Sequence, residues 1–258
     1  SLRNIFGGTD LLIAAHCEDQ GIIKENTDKY KKAYGDDVPL TLHPVIRSEE
    51  ACYRSSELAV QLAREANARL HIMHISTARE LDLFSDAPLI TKRITAEACV
   101  SHLLFTEDDY QTVNSGLIDA IATDHAPHLL SEKEGGALKA MSGMPMIQFS
   151  LASMLELVDK GIFSIEKIVE KMSHAPAQMY EINNRGFIHK GYQADLVLVR
   201  PNSKWTVTTD CIVSKCQWSP LEGHTFNWKV EKTFVNGHLL YDNGKIDETY
   251  RGQELRFR

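Results

Sequence analysis

Short apolar runs alternate with longer amphipathic stretches from the start of the chain to about Tyr180, and this alternation limits the possible folds more than any other pattern. It is typical of parallel strands joined by helices, because two parallel strands need a long crossover connection between them. Four strands are predicted, at residues 11–15, 70–75, 89–95 and 117–123. Five helices are expected, beginning near residues 48, 77, 146, 164 and 175.

From Gly186 onward the apolar residues alternate with a period of two, which is typical of antiparallel strands. Asn236-Gly237 and Asn243-Gly244 are strong signals for tight hairpin turns. The sequence therefore predicts two domains, residues 1–186 and residues 187–258. Because a complete (β/α) barrel needs about 250 residues, the first domain is either an open sheet or part of a barrel.

Composition excludes several classes of protein. The chain has 28 Lys and Arg against 35 Asp and Glu, a net charge of −7, and no basic block, which argues against a nucleic-acid partner. Its apolar runs are far shorter than the roughly 20 residues of a membrane helix, and its first residues lack a signal-peptide pattern. Five scattered cysteines are expected to be reduced thiols. We expect a soluble, cytoplasmic protein that does not bind a membrane.

Three side chains that can bind a metal follow three predicted strands. His16 follows the first strand, His74 lies at the end of the second, and Asp124 follows the fourth. A single histidine in such a place is more often a structural residue, and a lone Asp124 could cap a helix. Since the carboxyl ends of parallel strands meet at one edge of the sheet, the three together predict a zinc site. Three other histidines are expected to be structural residues: His71, His102 and His174.

Such a site would perform hydrolysis. A bound divalent cation lowers the pKa of water from 15.7 to about 7, so that hydroxide is available at neutral pH. Asp124 could accept the proton of the attacking water and pass it to a leaving nitrogen. His128, four residues further on, is placed to bind a substrate carboxylate, the alternative being that it is a surface loop histidine. Cys17 is expected to point away from His16 and to pack.

Several segments together resemble the bacterial type I dihydroorotases of the amidohydrolase superfamily. The resemblance covers nearly the whole chain, and Asp-His-Ala-Pro-His is its most specific element. The segments are His-Cys-Glu-Asp at 16–19, His-Ile-Met-His-Ile-Ser-Thr at 71–77, Thr-Ala-Glu-Ala-Cys-Val-Ser-His-Leu at 95–103, Ala-Thr-Asp-His-Ala-Pro-His at 122–128, Gly-Tyr-Gln-Ala-Asp-Leu-Val-Leu at 191–198, Trp-Ser-Pro-Leu-Glu-Gly at 218–223 and Val-Asn-Gly at 235–237.

The resemblance implies a role for each candidate residue. His16 and His74 would bind the second metal of a zinc pair, and Asp124 would bind the first and shuttle the proton. His128 would hold the substrate carboxylate, and Gly143 and Met144 would offer backbone groups to the pyrimidine ring. The implied enzyme has two Zn²⁺ ions in a complete active site. It forms a homodimer, and some members associate with aspartate transcarbamoylase.

The sequence also departs from the family pattern. It has no His-x-His pair of the kind found on the family's first barrel strand, no nearby substrate Arg, and no bridging Asp or carbamylated Lys, since Asp10 comes too early in its strand. An Asn-Pro-Pro-like segment is also lacking between Thr106 and Asp119. We therefore predict an α/β fold comprising about the last four βα units of a TIM-like (β/α) barrel, plus a small β-sandwich portion. An N-terminal half and a loop after Gln111 are expected to be missing, so that this polypeptide alone is inactive.

The predicted activity is that of a zinc-dependent dihydroorotase, which converts L-dihydroorotate and water reversibly to N-carbamoyl-L-aspartate in pyrimidine biosynthesis. One alternative is a hydantoinase or allantoinase, whose substrates lack the ring carboxylate that His128 would bind. A second is a non-catalytic homologue that acts as a scaffold for aspartate transcarbamoylase. A third is a structural α/β domain whose histidines only satisfy local hydrogen bonds. The polar loop 129–143 could act as a lid.

Overall fold

A computed structural model describes residues 2–105 and 110–257 of the chain. The chain folds into two compact units, one running to residue 147 with residues 214–218 added, the other comprising residues 148–213 and the remainder from 219. The domain boundary predicted at residue 186 stays a prediction. The segment expected to differ between Thr106 and Asp119 lies in part, at residues 106–109, outside the described residues.

The first unit contains a parallel sheet of four strands in the order β1-β2-β3-β4. Adjacent strands are in register at their carboxyl ends, where Ala15 lies opposite Ile72 and Cys99 opposite Ala122. This sheet confirms the predicted α/β class. Its strands are Leu12–Ala15, Arg69–Ile72, Ile94–Cys99 and Ala120–Ala122.

Helices connect these strands. The helix predicted to begin at residue 48 is confirmed. At the start of α4, the Ser48 hydroxyl accepts a hydrogen bond from the Ala51 N–H. Glu49 and Glu50 in the first turn interact favourably with the positive end of the helix dipole. The described helices α1 to α6 are Leu2–Phe6, Gln20–Tyr34, His43–Ile46, Glu49–Glu65, Val100–Phe105 and Tyr110–Ser115. Short 3-10 turns occupy Leu40–Leu42, Ala78–Leu83, Leu89–Thr91 and Leu130–Lys133.

The structure corrects one strand boundary and the type of one helix. The third strand was expected at residues 89–95 but begins at Ile94, because Pro88 starts a 3-10 turn in which Ile90 is exposed. The helix expected from residue 77 is the 3-10 turn Ala78–Leu83, whose N–H groups are bound three residues back.

The second unit combines helices with short antiparallel strands. Its helices α7 to α9 are Ser150–Asp159, Ile165–Val169 and Ala175–Met179, the last preceded by a π-helical turn at Glu170–His174. A 3-10 turn at Ile147–Phe149 precedes α7, and another occupies Thr209–Cys211. The strands β5 to β10 are Leu196–Arg200, Trp205–Thr206, Thr225–Phe226, Lys229–Val235, His238–Asp242 and Lys245–Ile246.

The predicted hairpins are present in this unit. β10, β9, β8 and β5 form one sheet in that order, and β6 pairs with β7. Asn236 and Gly237 both have positive φ angles, of 52° and 83°, as do Asn243 and Gly244, of 47° and 94°. Two successive positive φ angles are what the tightest hairpin turns require, and Asn-Gly supplies them at low cost.

No helix within residues 2–105 and 110–257 is both long enough and apolar enough to cross a bilayer.

Candidate active site

The structure brings His16 and His74 together. His16 follows β1 directly and His74 comes two residues after β2, at the carboxyl ends of two paired parallel strands. The His16 Nδ1 atom lies 2.5 Å from the His74 Nε2 atom, and the two rings meet edge to face with centroids 4.5 Å apart. The structure therefore brings two of the three predicted metal ligands into direct contact.

The other nitrogen of His16 has a charged partner. Its Nε2 atom lies 2.8 Å from a Glu18 carboxylate oxygen, and the Arg47 guanidinium donates a hydrogen bond to the same oxygen. Burial raises the pKa of Glu18, but the hydrogen bonds from Arg47 and His16 outweigh that effect and leave its pKa below the ordinary value. Cys17, which stands between them in the sequence, is buried and so packs as predicted, and burial raises the pKa of its thiol.

His74 is held through its backbone. Its φ angle of 37° lies in the left-handed region, which is uncommon for a residue with a side chain. Its N–H donates to a Glu97 carboxylate oxygen at 3.4 Å, and the other oxygen of Glu97 lies 3.0 Å from the Nε2 atom of the fully buried His71. The second nitrogen of His71 lies 2.9 Å from the Thr95 hydroxyl. The structural role predicted for His71 is confirmed.

Asp124 lies at the same edge of the sheet, two residues beyond β4, also with a left-handed φ angle of 42°. Burial and then the negative charge of Asp124 raise the pKa of the neighbouring Cys99 thiol. Two strand spacings separate β4 from β2, which amounts to about 10 Å at the backbone. Within the described part of the chain, no group of three or more His, Cys, Asp or Glu side chains is gathered that could hold a metal ion. The three-ligand site stays a prediction.

The predicted substrate-binding residues form a second cluster after β4. The Ala126 N–H donates to the Met144 carbonyl at 3.0 Å, which holds the 143–144 segment beside the 125–128 segment. The Trp218 indole N–H donates to the His128 carbonyl at 2.7 Å. Gly143 has a φ angle of 96° and no room for a Cβ atom against Ala126. This backbone geometry explains why the position holds glycine.

Lys133 closes the 129–143 loop upon itself. Its ammonium group donates to the carbonyls of Met141 and Gly143, at 2.7 and 2.5 Å, and lies 5.5 Å from the centre of the Trp218 ring. The Met141 N–H also donates to the Glu132 carbonyl at 2.8 Å. The loop is therefore ordered by its own contacts, and its role as a lid stays a prediction.

The donor set of the histidine pair suits zinc. Neutral imidazole nitrogens are common zinc ligands, and a ligating imidazole usually donates its other N–H to a carboxylate, as His16 is placed to do toward Glu18. The imidazoles of His16 and His74 are therefore the right type of ligand for zinc, but within the described residues no third His, Cys, Asp or Glu side chain is gathered with them. Sequence reasoning missed the contacts of Glu18, Arg47 and Glu97. The only signals were the position of Glu18 in the motif that carries His16, of Glu97 in the motif at 95–103, and of Arg47 just before α4.

Comparisons with known proteins agree on the family. The model of the amidohydrolase family matches residues 8–240. A dihydroorotase of Pyrococcus furiosus is 31% identical over 78% of this chain and 52% of its own length, and one of Clostridioides difficile is 35% identical over 70% and 48%. An allantoinase of Bacillus velezensis is 28% identical over 90% and 56%. The chain thus spans about half the length of the curated relatives it matches.

Solved structures agree on the fold. The L-hydantoinase of Arthrobacter aurescens superposes with a TM-score of 0.86 over 95% of this chain and 61% of that one, at 24% sequence identity. A likeness at this level of identity concerns the fold alone.

Proposed function

Since this chain belongs to the amidohydrolase family, we propose that its activity is that of a zinc-dependent dihydroorotase. The reaction would open the cyclic amide of L-dihydroorotate with water to give N-carbamoyl-L-aspartate, reversibly, in pyrimidine biosynthesis. The observation that carries the proposal is the contact between His16 and His74 at the carboxyl edge of a parallel sheet. The dihydroorotases among the relatives support the choice of substrate.

His16 and His74 would hold the metal, and the family implies two Zn²⁺ ions in a complete site. When bound, such an ion makes hydroxide available at neutral pH. Asp124 would accept the proton of the attacking water at its carboxylate and return it to the ring nitrogen as the C–N bond breaks. Its place at the same edge of the sheet as the histidines supports this role.

His128 would bind the carboxylate of the substrate. Its side chain is 31% exposed, and its Nδ1 atom lies 3.9 Å from a Glu132 carboxylate oxygen, too far for a hydrogen bond, so that this nitrogen can still meet a ligand. A hydrogen bond to a charged group contributes about 1.5–3 kcal/mol. Gly143 and Met144, whose segment pairs with the one that carries His128, would meet the pyrimidine ring through backbone groups.

An allantoinase or hydantoinase activity is the alternative, and the allantoinase relatives favour it. Their substrates lack the ring carboxylate of dihydroorotate. His128→Ala should therefore reduce dihydroorotate hydrolysis by about 10- to 150-fold, the factor that 1.5–3 kcal/mol represents, while allantoin and hydantoin hydrolysis should change little. Equal losses on all three substrates would contradict the role given to His128.

The test of the function is zinc content and dihydroorotate turnover of the complete gene product. His16→Ala and His74→Ala should each lower both by more than about 100-fold, whereas His238→Ala, a histidine of the C-terminal sheet paired with Asp247, should leave both unchanged. Wild-type zinc content and turnover in the first two variants would overturn the proposal.

The proposal extends to location and assembly. Five free thiols suit a reducing compartment, and we place the protein in the cytoplasm. The family suggests a homodimer, with aspartate transcarbamoylase as a further partner. Sedimentation of the complete gene product, alone and with that enzyme, would test both.

A further inference from the structure

Glu18 lies on the far side of the His16 ring from His74. One ring nitrogen of His16 faces His74 at 2.5 Å, and the other faces Glu18 at 2.8 Å. Glu18 therefore lies away from the contact between the two histidines. It contacts the nitrogen that a metal held between His16 and His74 would leave free.

A neutral imidazole carries one N–H, and the position of that proton decides which nitrogen can bind a metal. A carboxylate accepts hydrogen bonds but donates none, so Glu18 favours the proton on the nitrogen that faces it. The other nitrogen then presents its lone pair toward His74.

We propose that Glu18, held by Arg47, is a positioning residue that fixes His16 with its proton on Nε2 and thereby presents Nδ1 as the metal-binding atom. The inference rests on the proposed function for the identity of the metal, but the proton position is a property of the chain itself.

The surroundings of Glu18 are built to hold it in place. Its side chain is only 9% exposed, although that of His16 is 53% exposed. The next residue, Asp19, caps α2 by accepting from the Ile22 N–H at 3.0 Å, and its own N–H donates to the Ala51 carbonyl at 2.9 Å. Glu18 is thus fixed between the end of β1 and the start of α2, so that its carboxylate is oriented before any metal arrives.

Arg47 orients the carboxylate from a third segment. It caps the carboxyl end of α3, where its N–H donates to the His43 carbonyl at 3.0 Å, and its guanidinium binds the same Glu18 oxygen that faces His16. An exposed ion pair between two surface side chains contributes little, but one that fixes a carboxylate behind a metal ligand acts on the ligand.

The test combines metal affinity with the proton position. Zn²⁺ titration of the 258-residue chain against a chromophoric chelator gives the affinity, and imidazole ¹⁵N shifts of the metal-free chain at one fixed pH identify the protonated nitrogen of His16. Glu18→Ala should lower zinc affinity by about 10- to 100-fold and release the proton from Nε2. Glu18→Gln keeps an acceptor oxygen and should retain most of both properties. Arg47→Met should have a smaller effect than Glu18→Ala.

The chain offers a matched control in its second unit. His224 Nε2 lies 3.0 and 2.9 Å from the two oxygens of Glu156. Glu156→Ala should alter the proton position of His224 and leave zinc affinity and His16 unchanged. Both variants remove a carboxylate that contacts a histidine. Thermal unfolding of each variant would show whether an effect on zinc affinity comes from a loss of folding.

The outcomes separate this inference from the proposed function. Glu18→Ala with wild-type zinc affinity, or with the His16 proton still on Nε2, would overturn the inference. Equal losses in Glu18→Ala and Glu18→Gln would also overturn it, because an acceptor oxygen would then not be the cause. If the wild-type chain bound no zinc, the proposed zinc site would be contradicted. The position of the His16 proton would still decide whether Glu18 orients this ring.

Discussion

The parallel sheet of the first unit and the antiparallel sheet of the second differ in what they bury. Every residue of β2 and β3 except the first of each is buried, including His71, Thr95 and Glu97. The sheet of β5, β8, β9 and β10 lies entirely within the described residues, and none of its residues is buried, although β5 reads Leu-Val-Leu-Val. A run of apolar residues therefore predicts a strand but not a core.

The two sheets also differ in which type of side chain they bury and which they expose. In the parallel sheet, polar side chains are buried and bind one another, as His71 and Glu97 do. A buried polar group without a hydrogen-bond partner would destabilise the fold, so these groups are buried in pairs. In the antiparallel sheet, apolar side chains on one face, such as Leu196 and Leu198, remain exposed, which is typical of a face that packs against another layer.

The strongest test of this contrast uses two ion pairs of nearly equal length. Lys92 and Asp119 are 2.8 Å apart and almost fully buried, whereas Lys232 and Asp242 are 2.9 Å apart and about 40% exposed. Asp119→Ala should lower the free energy of unfolding by about 3–5 kcal/mol, because it leaves the buried Lys92 ammonium without an opposite charge and the Ala96 N–H without its side-chain acceptor. Asp242→Ala should have an effect near the error of a urea denaturation measurement. Equal effects would refute the contrast.

Two leucines provide the next test. Leu70 in β2 is fully buried and Leu198 in β5 is half exposed. Leu70→Ala should lower the free energy of unfolding by about 2–5 kcal/mol, since it removes buried methyl groups and leaves a cavity. Leu198→Ala should cost less than about 1 kcal/mol, as surface substitutions do. A large loss for Leu198→Ala would indicate that its sheet is covered in solution, for example by a second copy of the chain, and a dependence on protein concentration would support that reading.

Two glycines with similar backbone angles give a smaller effect. Gly143 and Gly244 have φ angles of 96° and 94°, but a Cβ atom at Gly143 would clash with Ala126, whereas one at Gly244 meets open space. Both alanine variants incur the cost of a positive φ angle, about 1–2 kcal/mol. Gly143→Ala should cost about 1–3 kcal/mol more through overpacking, measured by urea denaturation. Equal losses of stability in the two variants would indicate that Ala126 shifts at little cost to make room for the added Cβ atom.

The smallest effect concerns Asp247 in the C-terminal unit. Hydrogen bonds from the Thr249 hydroxyl and then from His238 lower the pKa of Asp247 to about 2, from an ordinary value of 3.8. Because the folded state has the lower pKa, the stabilisation is present above pH 3.8 and is lost as the pH falls toward 2. The carboxyl ¹³C shift of Asp247 should titrate near pH 2, and Thr249→Val should raise that midpoint. An unchanged midpoint would rule out the hydroxyl as the main cause.

Much of the fold could be predicted from sequence because its signals are local. The cap at Ser48 and the two Asn-Gly turns act within a few residues, and both were placed correctly. Strand β3 was misplaced because its buried segment includes Glu97 and small residues, while the more apolar Leu89 and Ile90 belong to a turn. The helix α2 was not predicted because it buries no residue and so lacks a clear apolar stripe.

The candidate site was predictable only in part, for a similar reason. His16 and His74 follow strand ends, which a sequence reveals, and the rule that parallel strand ends share an edge brings them together. Their partners Glu18, Arg47 and Glu97 depend on which way a side chain turns after the strand ends, and on the approach of segments 29 and 23 residues away. The periodicity of apolar residues in a sequence does not predict such contacts.

The left-handed backbone at His74 and Asp124 has a further consequence for anyone who wishes to redesign this edge of the sheet. Asparagine, aspartate, histidine and glycine adopt that conformation most readily, and β-branched residues scarcely at all. A mutant library at these two corners can therefore be small without losing diversity in chemistry, since the permitted residues include an acid, an amide and an imidazole. The corners would accept new reactivity while the strands beneath them stay as they are.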